Sequence, residues 1–154
     1  MQVRPVRRED LVQLLQLVQG LARHHGDTPK ASVDSLEADL FGPGPWLHVL
    51  VADEAGVLQG YVALLRLARF QYGQRGIDLH HLFVAEGQRG RGIGGALVTA
   101  ALALGAELGA TYATVTATPD NRAAQGFYAS LGFAAAPRLG ARFWTPIPKG
   151  PDRG

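Results

Sequence analysis

Four glycines and two arginines are grouped between an apolar stretch and a helix-like repeat, and together they could bind a phosphate ester. They are Arg89, Gly90, Arg91, Gly92, Gly94 and Gly95. Glycine lets the backbone approach a ligand because it has no Cβ. The first amides of a helix have no intrahelical partner and lie at the positive end of its dipole, while guanidinium groups match the geometry of phosphate oxygens. The group therefore predicts an anion-binding loop at the start of a helix.

The same glycines allow two other interpretations. Glycine also marks plain turns, so its presence alone does not identify a ligand site. In addition, Gly90-x-Gly92-x-x-Gly95 fits the dinucleotide-binding fingerprint, in which a strand leads almost directly into the first glycine and an acidic residue follows about 20 positions later. Here residues 85–89 separate the strand from the first glycine, and Asp120 lies too far along the chain. Dinucleotide binding is therefore the alternative interpretation.

A strand and a helix must position this loop. Residues 77–84 are mostly apolar and predict a strand. A helix is predicted from Ile93 to Gly109, because apolar residues recur there at helical spacing; they are Ile93, Leu97, Ala101, Leu104 and Leu108. A second strand is predicted at residues 112–118, which alternate and are rich in Thr and Val. The two strands should be parallel, since a helix connects them.

The other elements follow from apolar periodicity and from turn residues. They are an edge strand at 2–6, a helix from Glu9 to Gly26, a helix capped by Ser32 and ended by Gly42, strands at 48–52 and 57–67, a helix from Asn121 to Gly132, and a closing hairpin of 133–136 with 141–145. The predicted fold is an α/β (α+β) domain over residues 1–145, with a mixed, mostly antiparallel sheet of six to seven strands and about four helices. Residues 146–154 are predicted to be a loose tail.

Composition excludes several classes of function. Hydrophobic residues make up 47 % of the chain and charged residues 18 %, which is typical of a globular domain. The net charge is only +2, so no nucleic-acid surface is expected. The sequence has no Cys, and the adjacent His24 and His25 fit a helix end better than a metal site, so no metal is expected. No apolar segment approaches bilayer length, so we expect no membrane association and a cytoplasmic protein.

A second motif follows the glycine loop. It is Asn121-x-x-Ala124-x-x-Phe127-Tyr128-x-x-x-Gly132-Phe133. Together with Arg89-x-x-Gly92-x-Gly94 after a strand, it resembles the GNAT superfamily of acyl-CoA-dependent N-acetyltransferases. The resemblance extends over residues 3–145, and its nearest branch is similar to diamine acetyltransferases.

This resemblance implies a GNAT-type fold, acetyl-CoA as co-substrate, and a primary amine of a small molecule or peptide as acceptor. The pantetheine arm would bind like an added strand along the backbone of Leu82, Phe83 and Val84, and the pyrophosphate would lie on the amides of residues 89–95, including Ile93. Asn121 and Phe127 would contact the cofactor from the other wall. Tyr128 would protonate the CoA sulfur. Relatives often form homodimers, which makes a homodimer an option for this chain.

Two histidines mark a departure from the family pattern. Where many relatives have Glu, often followed by Asp, this chain has His80 and His81. An imidazole, with a reference pKa of about 6.5, can still act as a base, but it does not attract a polyamine as a carboxylate would. Strand alternation predicts that Leu82 and Val84 share the face of His80, while His81 and Phe83 point the opposite way. The resemblance implies that the acceptor lies on the face of the matched position, which favours His80 as the base.

The acceptor is therefore expected to be a modest-sized amine that is not strongly polycationic. The resemblance assigns its binding to Tyr72 in the connection 70–75, to His80 and His81, and to the first helix, and Arg75 could pair with a carboxylate on the acceptor. Because the carboxylate base of the relatives is missing, a non-catalytic acyl-CoA-binding or sensing module is a further alternative.

Overall fold

The computed structural model describes residues 1–136 and 140–150. The described chain separates into two compact units, Met1–Thr118 and Pro119–Gly154. In chain order the elements are β1 (Gln2–Pro5), α1 (Leu11–His24), α2 (Val33–Phe41), β2 (His48–Glu54), β3 (Val57–Arg69), β4 (Gln74–Val84), α3 (Ile93–Glu107), β5 (Tyr112–Val115) and α4 (Arg122–Ser130). Short 3-10 turns occupy Arg8–Asp10 and Phe70–Tyr72. Within the described residues no helix is long and apolar enough to cross a membrane.

The strands form one sheet in the first unit, in the order β1-β2-β3-β4-β5. Three of its pairings are antiparallel, and the pairing of β4 with β5 is parallel. The predicted meander of β2, β3 and β4 and the predicted parallel β4-α3-β5 unit are therefore confirmed. The prediction of an α/β (α+β) fold with a mixed, mostly antiparallel sheet is confirmed.

The predicted number of strands was too high for the residues that the structure describes. Residues 133–136 and 140–150 contain no strand, so the closing hairpin is wrong there, and its turn at 137–139 lies outside the described residues. Three alanines and a proline provide little β-propensity in this segment. β5 also ends at Val115 and not at residue 118, because its last partner on β4 is Leu79.

The two faces of the sheet are covered by different helices. α1 and α2 bury their leucines against Val49, Val51, Tyr61, Ala63 and Phe83. α3 covers the opposite face. A side chain on Gly60 of β3 would meet Leu97 of α3, and a side chain on Gly105 of α3 would meet Ile77 of β4. On α1 the most buried residues are Leu11, Leu14, Leu17 and Leu21, while Leu15, Val18 and Ala22 are only half-buried.

The capping signal at Ser32 was predicted correctly. Ser32 accepts a hydrogen bond from the Ser35 amide at 3.0 Å, and the Ser35 hydroxyl accepts one from the Ser32 amide at 2.9 Å. Asn121 caps α4 in the same way, because its side-chain oxygen accepts a hydrogen bond from the Ala124 amide at 3.1 Å. Both caps satisfy amides that have no intrahelical partner.

A buried ion-pair network joins β1 to the start of α1 and to β2. The Arg4 guanidinium donates to both carboxylate oxygens of Asp10, at 2.7 and 2.9 Å, and to Asp53 at 3.1 Å. Asp10 also accepts a hydrogen bond from the Arg7 amide at 2.7 Å. Arg4 and Asp10 are only 8 % and 4 % exposed, so each charge is stabilised by its partner and not by water. Hydrogen bonding from Arg4 lowers the pKa of the Asp10 carboxyl.

Candidate active site

One edge of β4 has a strand partner over only part of its length. β5 pairs with β4 between Gly76 and Leu79, while β4 continues to Val84. On this edge no strand in the described residues pairs with residues 80–84, whereas β3 pairs with residues 81–84 on the opposite edge. The backbone of this part therefore presents donors and acceptors to an extended ligand at its free side.

A β-bulge lies where this free edge begins. Ala63 of β3 pairs with His81, but the next residue, Leu64, pairs with Leu79, so His80 has no partner on β3. The extra residue shifts the alternation of side chains along β4. Ile77 packs against α3 at Gly105, whereas Phe83, six residues later, packs against α1 at Gly20.

The bulge contradicts one prediction. His80 and His81 do not point to opposite faces, because their rings stack with centroids 4.3 Å apart and an interplanar angle of 11°. The prediction assumed an uninterrupted strand, in which neighbouring side chains alternate. Both imidazoles therefore lie together beside the free edge.

Sequence reasoning missed a partner of His81. The hydroxyl of Tyr61, on β3, lies 3.1 Å from Nδ1 of His81. Burial lowers the pKa of the half-buried His81 to about 4, with smaller contributions from the charges of His80 and His25. A signal was present in the sequence, because a tyrosine inside the apolar strand 57–67 needs a partner for its hydroxyl.

The glycine loop connects the free edge of β4 to the start of α3. Gly87, Gly90 and Gly92 have φ values of 83°, 81° and 79°, which L side chains rarely adopt. The first helical hydrogen bond is donated by the Ala96 amide to Gly92, so the three preceding amides lie outside the helical ladder. Neither a side-chain cap nor an acidic residue occupies the first turn of α3. This helix start can therefore bind an anion.

The two arginines of the loop differ in their partners. Arg91 donates to both carboxylate oxygens of Glu54, at 3.1 and 3.0 Å, a partner that the sequence did not indicate. Arg89 lies over the ring of Phe83, 5.6 Å from its centroid, and its Nε is 3.4 Å from the carbonyl oxygen of Val84. Arg89 therefore joins the free edge of β4 to the loop.

A surface pocket of about 420 Å³ lies between α1 and the end of β4. Phe83 lines it from the sheet, and Gly20 lines it from α1, where a Cβ would come within 3.1 Å of the Phe83 ring. Its charged lining consists of Arg23, Glu86 and Arg89, and His24 lines it as well. Positive groups outnumber the single carboxylate, so the pocket suits an anionic group better than a polycation.

Tyr72 is not brought near the histidines. It lies at the tip of the β3–β4 hairpin and is 69 % exposed. A strand rises about 3.3 Å per residue, so the part of β4 from Gln74 to His80 separates the tip from the histidines by roughly 20 Å. The predicted connection 70–75 is also shorter than expected, because Gln74 and Arg75 already belong to β4. One small acceptor therefore cannot contact both Tyr72 and the two histidines.

The second unit contains the remaining predicted residues. Asn121 caps α4, and Phe127 and Tyr128 follow on that helix. The ring of Tyr128 makes edge contacts with Phe127 and Phe133, with centroids 5.2 and 5.6 Å apart. Burial raises the pKa of the Tyr128 phenol, so it keeps its proton at neutral pH.

Comparisons with known proteins agree with this architecture. The family described as "Acetyltransferase (GNAT) family" matches residues 12–133. The chain is 30 % identical over 139 residues to a thialysine N-epsilon-acetyltransferase from Bos taurus, which covers 84 % of this chain and 82 % of the relative.

Two solved structures share the fold. A ribosomal-protein-alanine N-acetyltransferase from Brucella melitensis biovar Abortus 2308 superposes with a TM-score of 0.75 at 20 % identity, over 93 % of this chain and 100 % of that chain. An aminoglycoside N-acetyltransferase in complex with CoA gives a TM-score of 0.74 at 20 % identity, over 94 % and 100 % of the two chains.

Proposed function

The chain belongs to the GNAT acetyltransferase family, and we propose that it transfers the acetyl group of acetyl-CoA directly to the primary amine of a small molecule or peptide. The observation that supports the donor is the free edge of β4, which leads through the glycine loop to the uncapped start of α3. An extended pantetheine arm can bind as an added strand at such an edge, and a pyrophosphate can bind the free amides of the helix.

Different residues would bind the pantetheine arm and the pyrophosphate of the donor. The backbone of Leu82, Phe83 and Val84 would hold the pantetheine amides, which requires no particular side chain. The amides from Arg89 to Gly95 would hold the pyrophosphate. Arg89 is the better placed of the two guanidinium groups, since Arg91 is already paired with Glu54.

The reaction needs two proton transfers. The nitrogen of a neutral amine attacks the thioester carbon, a C–N bond forms and the C–S bond breaks. One proton leaves the nitrogen for an imidazole at the bulge of β4, and the departing thiolate takes one from Tyr128. The family motif that contains Phe127 and Tyr128 and the protonated state of the half-buried phenol support the second assignment.

We further propose that the acceptor has a carboxylate in addition to its amine. The guanidinium groups of Arg23 and Arg89 line the pocket beside Phe83, and Glu86 is the single carboxylate of its lining. His25, the residue that follows α1, contributes to the low pKa of His81, so the end of α1 lies near both the pocket and the imidazoles. A relative is named for transfer to thialysine, which is consistent with an amino-acid acceptor.

Thiol release from acetyl-CoA tests this proposal. We expect turnover with lysine-like amino acids and about tenfold lower kcat/KM with 1,5-diaminopentane, the same amine chain without the carboxylate, because a hydrogen bond to a charged group is lost. Faster turnover of the diamine or of spermidine would contradict the acceptor class. No release with any amine, together with tight CoA binding, would leave the acyl-CoA sensor as the explanation.

The glycine loop provides a separate test of donor binding. Gly92→Ala places a Cβ at the helix start and strains a residue with φ of 79°, so CoA affinity measured by calorimetry should fall at least about tenfold. Gly56→Ala is the matched control, because Gly56 has φ of 86° and equally open surroundings but lies in the β2–β3 turn. Equal CoA affinity in the two variants would exclude the loop as the binding site.

A further inference from the structure

We infer that Tyr61 holds His81 as a neutral hydrogen-bond donor, so that His80 is the imidazole that takes the proton from the acceptor amine. The role of His80 rests on the proposed function. The state of His81 does not, because it depends only on contacts within the protein. Tyr61 is therefore a positioning residue, and it lies outside both motifs that the sequence analysis identified.

The argument begins with the hydroxyl of Tyr61. Tyr61 is 1 % exposed, and in the described part of the chain its hydroxyl has one hydrogen-bond partner, Nδ1 of His81. A buried O–H group without an acceptor is unfavourable, so the phenol donates in this contact. Burial also raises the pKa of the Tyr61 phenol, so the donor keeps its proton.

The direction of this hydrogen bond fixes the tautomer of His81. Because Nδ1 accepts from Tyr61, the single proton of the neutral ring lies on Nε2. The ring then has no free lone pair with which to take a proton from an amine. It presents an N–H donor on its far side instead.

The surrounding charges keep His81 neutral as well. The titratable groups that face it are His80, stacked on the same strand, His25, at the end of α1, and Tyr61, on β3. Two protonated rings 4.3 Å apart would repel each other, so the stacked pair accepts one proton and not two. His80 is exposed and His81 is half-buried, so solvation favours the proton on His80.

The proton balance of the reaction follows from this arrangement. When the amine nitrogen bonds to the acetyl carbon, its N–H bond breaks and the proton joins a ring nitrogen of His80. The exposed ring then returns that proton to water. His81 neither gains nor loses a proton, and its stacking with His80 fixes the orientation of the base.

Ring nitrogen NMR of the full chain without any ligand tests the state of His81. We expect an unprotonated Nδ1 and a protonated Nε2 that do not change between pH 5 and 8. Tyr61→Phe keeps the ring, and its Nδ1 resonance should move to the position of a ring nitrogen that accepts no hydrogen bond. Tyr112→Phe should leave the resonance unchanged. A proton on Nδ1 of the wild type, or a His81 ring that titrates in this range, would overturn the inference.

Two matched substitutions test the assignment of the base. His80→Gln should lower kcat/KM by about a hundredfold or more and remove the acidic limb of its pH profile. His81→Gln should lose less than about tenfold and keep that limb, because an amide can accept from Tyr61 and donate on its far side. A large loss in His81→Gln with a small loss in His80→Gln would overturn the inference. The NMR of the wild type and the kinetics of His81→Gln both remain informative even if Tyr61→Phe does not fold. If no amine is acetylated at all, the proposed function fails, whereas the NMR result still decides the state of His81.

Discussion

Replacement of Tyr128 by Phe should reduce turnover by roughly a hundredfold to ten-thousandfold, the range that general acid catalysis typically provides. The variant keeps the ring and its contacts with Phe127 and Phe133, and it removes only the proton donor. The thiolate of CoA would then have to leave without a proton from the enzyme. Steady-state thiol release at saturating acetyl-CoA measures the loss, and calorimetry should show unchanged CoA affinity.

Tyr112→Phe is the control for this experiment. Tyr112 is also a tyrosine in contact with another side chain, since Arg69 lies 4.6 Å from its ring centroid, but it has no role in the proposed chemistry. Its turnover should equal that of the wild type. Wild-type turnover in Tyr128→Phe would instead limit Tyr128 to packing within the second unit.

Replacement of Arg4 by Met should lower the free energy of unfolding by about 3–5 kcal/mol at neutral pH, because it leaves the buried carboxylate of Asp10 without its counter-ion. Chemical denaturation of the two proteins measures this difference. Arg8→Met is the matched control. Arg8 pairs with Glu37 at the surface, where both side chains are largely exposed, and such a pair contributes at most about 1 kcal/mol.

The effect of Arg4→Met should depend on pH in one direction. Arg4 lowers the pKa of Asp10 in the folded protein, so the pair contributes its stability above the unfolded pKa of about 3.8, and this contribution is lost as the pH falls through the lower, folded pKa. The difference between wild type and Arg4→Met should therefore shrink below pH 4. A difference that stays constant across the acid range would show that packing, and not charge, is lost.

Local features of this fold could be predicted from the sequence. The cap of α2, the start of α3 at Ile93 and the parallel pairing of β4 with β5 each depend on a few neighbouring residues or on one short crossover. The same holds for the glycine loop, because its glycines indicate backbone conformations that other residues rarely adopt. These features identified the family, and the proposed donor site depends on them.

Features that depend on distant partners could not be predicted. The bulge at His80 arises from the register between β3 and β4, and that register is set by which faces of both strands are buried. The contacts of Tyr61 with His81 and of Arg4 with Asp53 join residues that are 20 and 49 positions apart. Spacing within one element contains no information on such pairs, so the sequence named both histidines but oriented them incorrectly.

The free edge of β4 also matters for the behaviour of the protein in concentrated solution. Residues 80–84 leave backbone groups on one side of the strand without a strand partner in the described chain. An unpaired strand edge is a template on which a second molecule can add an extended segment, and this is a common origin of aggregation. The binding position proposed for the co-substrate is the same edge. CoA would therefore act as a solubilising additive, and the ligand-free protein would be the form that self-associates.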